Sequence, residues 1–333
     1  MSPIENLTLT FHKEDPFSEG DTIIGTVSFS LTKDTKIKSV SLKAKGDANV
    51  SWESGNTKYY GHWGYFKTKE YLVEKHPKGR LIPKGTYFLR FSFSLPHESM
   101  PSSFRENNRS IVYMLQVKIT RPWKWSSYVH KEIDFVSRSI LNISRVMCPQ
   151  SGSVNKKVSK GQVQMSASVN RKVCSPGDTL SAYAKIYNSS TKSMRPKFSL
   201  LQKIEYRVKK KTKVKLKTLF KSVGDTTGPN TETTASCTME IPTSAIYTIN
   251  NCEIISVEYY LKVYLDISYT FDPEVVLPLI IVPSVSHQPC EELEPDQSGL
   301  IRSYRDVLAL AVLLNLVETG SGVQEHPETE ESQ

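Results

Sequence analysis

The densest chemistry in this chain is a run of lysines, Lys209-Lys-Lys211-Thr-Lys213-Val-Lys215-Leu-Lys217. Read as one strand, it sets Lys209, Lys211, Lys213, Lys215 and Lys217 on one face and Val208, Val214 and Leu216 on the other, because side chains alternate along a strand. Five ammonium groups about 6.5 to 7 Å apart repel one another, so such a face is stable only in water or against an anion. Acidic phospholipid or an acidic or phosphorylated segment of another protein would serve. A lysine held near an acidic leaflet contributes about 1 kcal/mol. The plainer reading is an edge strand charged against edge-to-edge aggregation. Nucleic acid is not expected, since no stacking aromatics interleave with the lysines.

Groupings that would carry catalysis do not occur. There is no GxxxxGK(S/T), GxSxG or HExxH pattern, and the 7 histidines stand without partners at useful spacing. No acidic stretch has the spacing of a calcium loop. The 5 cysteines form an odd set with no CxxC, and are expected as free thiols of a reducing compartment. An enzyme, a cofactor and a metal site are therefore not expected.

Charge is unevenly placed. From Ser284 onward the chain has 2 basic and 10 acidic residues, net −8, so the preceding body carries +17 and the two sum to the total of +9. A body this basic is drawn to anionic surfaces or to its own acidic end. The opening residues do not read as a secretory signal, and no run of about 18 apolar residues could span a bilayer. Five Asn-x-Ser/Thr sites, at Asn6, Asn49, Asn108, Asn142 and Asn188, would matter in an extracellular adhesive β-sandwich, the alternative reading.

The elements that would position the lysines are legible as a duplication. Ser110–Ile119 (SIVYMLQVKI) alternates apolar and polar and returns as Ser256–Leu265 (SVEYYLKVYL) in the same phase. Upstream at the same offset, Phe91-Ser-Phe93-Ser-Leu95-Pro96 matches Cys237-Thr-Met239-Glu-Ile241-Pro242. Earlier still, Ser18-Glu-Gly20-Asp21-Thr22 matches Ser175-Pro-Gly177-Asp178-Thr179, each a turn signal before an alternating strand. Three echoes in one order predict two tandem β-sandwiches, and 333 residues suit two cores. The expected division is 1–149, a flexible polar linker at 150–160, 161–283, and an acidic, mostly disordered tail at 284–333. Within that tail Val307–Val317 reads as a docking helix.

Between the echoes, a stretch rich in Gly, Trp and Tyr from Gly46 to His76 predicts a long hairpin with exposed aromatics. Trp123 and Trp125 are expected to close the end of the first sandwich, and a strand is expected over Ile133–Ile143.

Several motifs together resemble the α-arrestins, the arrestin-domain-containing proteins. They are Lys84-Gly-Thr-Tyr-Phe-x-x-Phe-x-Phe-x-Leu-Pro96, Met100-Pro101-Ser102-Ser103-Phe104, and Ile111-x-Tyr113 leading to Arg121-Pro122-Trp123-Lys124. In the second half they are Cys174-x-Pro-Gly-Asp178, Arg195-Pro-Lys197, Asn251-Cys252 before Val257-Glu-Tyr259-x-Leu-Lys-Val263, and Leu277-Pro-Leu-Ile280. The resemblance covers about residues 5 to 283. It implies an all-β fold of two immunoglobulin-like arrestin sandwiches. It also implies a non-enzymatic cytosolic adaptor, recruited to plasma membrane and endosomes, that binds membrane receptors or transporters as cargo. Most members reach HECT-type ubiquitin ligases through PPxY motifs in their tails. No PPxY occurs here, and Tyr304 follows Arg-Ser.

Overall fold

The computed structural model describes residues 2–14, 16–141, 143, 149–158 and 161–284. Residues 285–333 of the expected disordered tail, with Val307–Val317 and Cys290 in them, and Cys148 lie outside these residues. Residues up to Ser284 form one compact unit.

In chain order the first sandwich comprises β1 (Ile4–Phe11), β2 (Thr22–Leu31), β3 (Thr35–Ile37), β4 (Ser39–Ser54), β5 (Thr57–Val73), β6 (Arg80–Ile82), β7 (Gly85–Ser94), β8 (Phe104–Glu106), β9 (Arg109–Arg121) and β10 (Lys124–Ile133). One sheet has the order β1-β2-β7, the facing one β10-β9-β4-β5 with β8 beside β9, and β3 pairs with β6 as a separate ribbon. A single helical turn, α1 (Arg138–Leu141), leads out. The second sandwich comprises β11 (Gln150–Lys157), β12 (Gln162–Val169), β13 (Val173–Cys174), β14 (Thr179–Asn188), β15 (Arg195–Val208), β16 (Lys211–Val223), β17 (Thr231–Glu240), β18 (Ile255–Asp266) and β19 (Glu274–Ile281). Its sheets run β11-β12-β14-β17 and β13-β19-β18-β15-β16.

The echoed strands are the interior strands of the two larger sheets. β9 lies between β10 and β4, and β18 between β15 and β19. Ile111, Tyr113, Leu115, Val117 and Ile119 are buried, as are Val257, Tyr259, Leu261, Val263 and Leu265. Each copy also buries a phenol and satisfies it in the same way. Tyr113 Oη donates to Pro101 O at 2.7 Å, and Tyr259 Oη to Ile246 O at 2.6 Å. A buried hydroxyl needs such a partner, and the carbonyl of the crossing segment supplies it.

The turn echo repeats closely, with one acceptor displaced by a residue. Ser18 N donates to Asp21 Oδ2 at 2.9 Å, and Ser175 N to Asp178 Oδ2 at 2.8 Å. Gly20, at φ +78°, donates from N to Pro96 O; Gly177, at φ +86°, donates to Ile241 O. Only glycine reaches such a turn without steric cost. These bonds tie the start of β2 to the end of β7, and the start of β14 to the end of β17.

Four expectations are corrected. Residues 150–157 of the expected linker form β11, paired with β12 along its whole length from Gln150↔Val169 to Lys157↔Gln162. The segment is polar because it is an edge strand, and Gly152 is there because a Cβ would come within 2.8 Å of Val275. The strand expected over Ile133–Ile143 ends at Ile133, in β10; Phe135 makes one parallel bridge with Phe17, and α1 follows. Trp123 and Trp125 close nothing, being 99% and 93% exposed at the β9–β10 turn.

The fourth concerns the lysines. Lys209 and Lys210 form a two-residue turn, Lys209 at φ +53°, and the strand resumes at Lys211. Residues directly opposite across an antiparallel pair share a face. Lys211, Lys213, Lys215 and Lys217 stand opposite Val208, Tyr206, Ile204 and Gln202. They therefore point to the side on which β15 is buried, while Val214 and Leu216 point outward and are exposed. Reversal at the turn moved Val208 to the lysines' side.

Candidate interaction surface

Where β8 and the β15–β16 hairpin meet, the two sandwiches share a charged junction. Glu106, at the end of β8, accepts hydrogen bonds from Tyr206 Oη and from Lys215 Nζ of the second sandwich. Burial pushes the Glu106 carboxyl up, but the Lys215 ammonium and the Tyr206 hydroxyl outweigh it and hold it below the usual carboxylate range. Burial raises the Tyr206 hydroxyl, and its bond to Glu106 raises it further. The Arg109 guanidinium lies 4.3 Å from the centre of the Tyr206 ring, a cation–π contact that closes the group.

Beside this junction is a cleft of about 330 Å³ lined by Ser51, Trp52, Glu53, Lys58, Asn107, Asn108, Arg109 and Lys213. Thus one lysine of the run lines a groove between the sandwiches and another is spent on Glu106. Lys211, Lys213 and Lys217 have no ion pair among the described residues. The run is therefore split into turn, brace and free cations.

A second contact area involves the Pro101–Phe104 motif, which is structural throughout. Pro101 O accepts from Tyr113, Ser102 Oγ from Ser137 N at 3.0 Å, and Ser103 Oγ from Phe135 N at 3.1 Å; Phe104 is buried and opens β8. Glu19, buried next to it, accepts from Met100 N (3.1 Å), Ser137 Oγ (2.9 Å) and Arg138 N (2.7 Å). Arg138 in turn donates to Glu19 O at 2.6 Å and pairs with Asp21 at 2.8 Å. From the second sandwich, Asn251 Nδ2 donates to Ser99 Oγ (3.2 Å) and Ser137 Oγ (3.3 Å). Its neighbour Cys252 is buried close to Tyr65, whose hydroxyl is pushed well up by burial and then by the thiol.

Glu19, Glu106 and Tyr206 were not among the expected site residues. Their signal in the sequence was slight: a Glu in the first turn echo where the second has Pro176, and acids inside a basic body. The Arg121–Lys124 motif stands apart from both junctions, as the β9–β10 turn. Of the cysteines, Cys174, Cys237 and Cys252 are free and buried, and burial pushes the Cys174 thiol up to about 12. Among the described residues no cluster could hold a metal ion.

Family models match both halves. The model for the arrestin (or S-antigen) N-terminal domain covers residues 7–142, and that for the C-terminal domain residues 159–286. The chain belongs to the arrestin family. Its similarity to arrestin domain-containing protein 4 of Homo sapiens, 28% identity over 84% of this chain and 71% of the relative, is in the α-arrestin branch. It is also 25% identical to thioredoxin-interacting protein of Sus scrofa over 80% of this chain and 71% of the relative. Arrestin-family proteins are non-enzymatic adaptors, and this chain is an arrestin-type adaptor in architecture.

Proposed function

We propose that this chain acts in trafficking or downregulation of membrane proteins. In this reading it is a cytoplasmic protein recruited to plasma membrane and endosomes, and it binds receptors or transporters as cargo. One observation carries the reading: Lys211, Lys213 and Lys217 stand unpaired on an edge strand beside the cleft that also presents Lys58 and Arg109. Such a line of cations fits an acidic or phosphorylated cargo segment, or acidic lipid beside the cargo. HECT-type ubiquitin ligases are candidate partners, although this sequence contains no PPxY. Mechanism is binding alone: the braced sandwiches hold the cations in place, and no bond of the cargo is made or broken.

The extracellular reading loses one of its supports. Asn188 is fully buried, its amide donating to Lys192 O and Gly228 O while its carbonyl accepts from Ser190. A glycan on that nitrogen would displace both of its donated bonds and has no room in the folded chain.

Proximity labelling in cells, with the full chain beside K211E/K213E/K217E, tests the proposal. Wild type is expected to label endocytic and transmembrane proteins and ubiquitin ligases, and the variant to lose the transmembrane set. Absence of membrane proteins above background for the wild type would remove the trafficking role while leaving the fold untouched.

A further inference from the structure

Exposed apolar side chains in this molecule are not evenly scattered, and the β9–β10 turn holds the two most exposed of the 4 tryptophans. Trp123 is 99% exposed and Trp125 93%. Trp123 also adopts φ +54°, a left-handed conformation that a bulky side chain rarely takes. Pro122 precedes it and Arg121 Nη2 donates to Trp125 O at 2.9 Å, so the turn is a built one. It holds two indoles out from the end of the sheet, where no other group among the described residues covers them.

The surroundings are basic. Lys38 N donates to Thr120 O, and His76 N to Lys38 O, which knits residues 36–38 and 74–80 to the base of the turn. A Cβ on Gly79 would lie 3.0 Å from Pro122 Cγ, so the segments touch. Together they bring Lys36, Lys75, Lys78, Arg80, Arg121 and Lys124 to one end of the sandwich, against a single acid, Glu74. None of these six cations has an ion pair among the described residues. Leu81, next to Arg80, is another exposed apolar side chain.

We infer that this end of the first sandwich docks on an acidic phospholipid surface, with Trp123 and Trp125 seated at headgroup depth and the surrounding cations on the lipid phosphates. Tryptophan prefers that depth because its ring is apolar and its N–H still finds a polar partner. The ring of lysines and arginines supplies the attraction to an anionic leaflet that two indoles alone would lack. An exposed pair of large apolar side chains rimmed by one sign of charge matches a membrane interface better than an acidic peptide, which would leave the indoles wet. The site lies on a different element from the β16 lysines and does not depend on the cargo reading.

The test uses the full chain with vesicles of phosphatidylcholine, alone or with phosphatidylserine, some carrying brominated acyl chains. A W63F background removes the half-exposed Trp63 of β5 and leaves Trp52 as a buried reference. Binding to the acidic vesicles is expected to quench and blue-shift the tryptophan emission. W123A/W125A is expected to lower partitioning by about tenfold or more and to abolish the quenching, with an unchanged circular dichroism spectrum and melting curve. K78E/R80E/K124E should weaken binding to acidic vesicles alone. The inference is overturned if acidic vesicles do not bind the wild type, if bound protein shows no bromine quenching, or if W123A/W125A binds as wild type does. It is equally overturned if K211E/K213E/K217E abolishes binding that W123A/W125A retains, since the contact then belongs to β16.

Discussion

Two copies of one turn differ by a single residue of consequence, and the difference shows how a duplicated sandwich was fitted to its partner. In the first copy, Ser18-Glu19-Gly20-Asp21, the second position is a buried carboxylate that accepts three hydrogen bonds from Met100, Ser137 and Arg138. In the second, Ser175-Pro176-Gly177-Asp178, proline stands there. The serine-to-aspartate bonds and the backbone bonds of Asp21 and Asp178 are the same in both, and only the acceptor of the glycine N–H is displaced by one residue, so the turn itself requires neither residue. What Glu19 adds lies outside the turn. It fixes the Met100–Phe104 strap and the start of α1, and Ser137, which it holds, is the group that Asn251 of the second sandwich reaches.

Removing Glu19 should therefore be the most damaging change in either turn. Glu19→Ala leaves Met100 N and Arg138 N without their acceptor, at about 1 to 3 kcal/mol for each unsatisfied group before relaxation, while the Ser137 hydroxyl keeps Ser139 Oγ at 2.9 Å. A net loss of about 3 kcal/mol or more is expected, read as a lower denaturant midpoint at unchanged slope. Pro176→Ala, at the matching position, should lie within about 1 kcal/mol of wild type. Equal losses at the two sites would show that the turn, and not its contacts, makes the demand.

A smaller effect is expected at the other junction, where the sign with pH can be worked out. Glu106 is held below the usual carboxylate range in the folded chain, so the folded state binds its proton less readily than the unfolded one. Its contribution is fully present above the unfolded carboxylate pKa and is lost as pH falls through the lower folded value. Glu106→Gln should cost about 1 to 2 kcal/mol at neutral pH, a loss typical of hydrogen bonds to a charged group. The two stability curves should converge as acid titrates the wild type. A constant gap down to the lowest pH that preserves folding would show that the Lys215 and Tyr206 bonds do not carry the effect.

These contrasts also mark what was legible in the sequence. Alternation of apolar residues in Ser110–Ile119 and Ser256–Leu265 reports burial directly, since a strand with one face in a core leaves a period of two. For the same reason the two sandwiches and most of their strands could be read in advance. Alternation does not say where a strand turns back, and there the reading of the lysines failed. Lys209-Lys210 carries no glycine or asparagine to announce a hairpin, so the run read as one strand and the faces were exchanged beyond it. Trp123 misled in the same way, because a large aromatic at positive φ on a turn contradicts ordinary preference. Gln150–Lys157 was lost because an edge strand facing water has a linker's composition. The junction acids were hidden for a different reason: Glu19 and Glu106 acquire meaning only from partners that are distant in the chain.

The core supplies the converse, a pair of sites at which the two copies share one bond and differ by a single further one. Tyr113 and Tyr259 occupy matching positions of β9 and β18, both are buried, and each donates its hydroxyl to a backbone carbonyl of the crossing segment. Tyr→Phe keeps the ring and its packing and removes only that donor. The carbonyls of Pro101 and Ile246 each lose a partner, at a cost of about 1 kcal/mol. Tyr259 has in addition the Gln202 amide, which donates to its oxygen at 2.7 Å and would be left without an acceptor. Tyr259→Phe should then be the costlier of the two by a few tenths to about 1 kcal/mol, and Tyr259→Phe with Gln202→Leu should recover that excess. If Tyr113→Phe is instead the more damaging, its stacking on Phe66 and its contact with Phe135 at 4.4 Å depend on the hydroxyl's anchoring. The first core would then be coupled to its strap more tightly than the second, extending to the interior the asymmetry that Glu19 and Pro176 show at the turn.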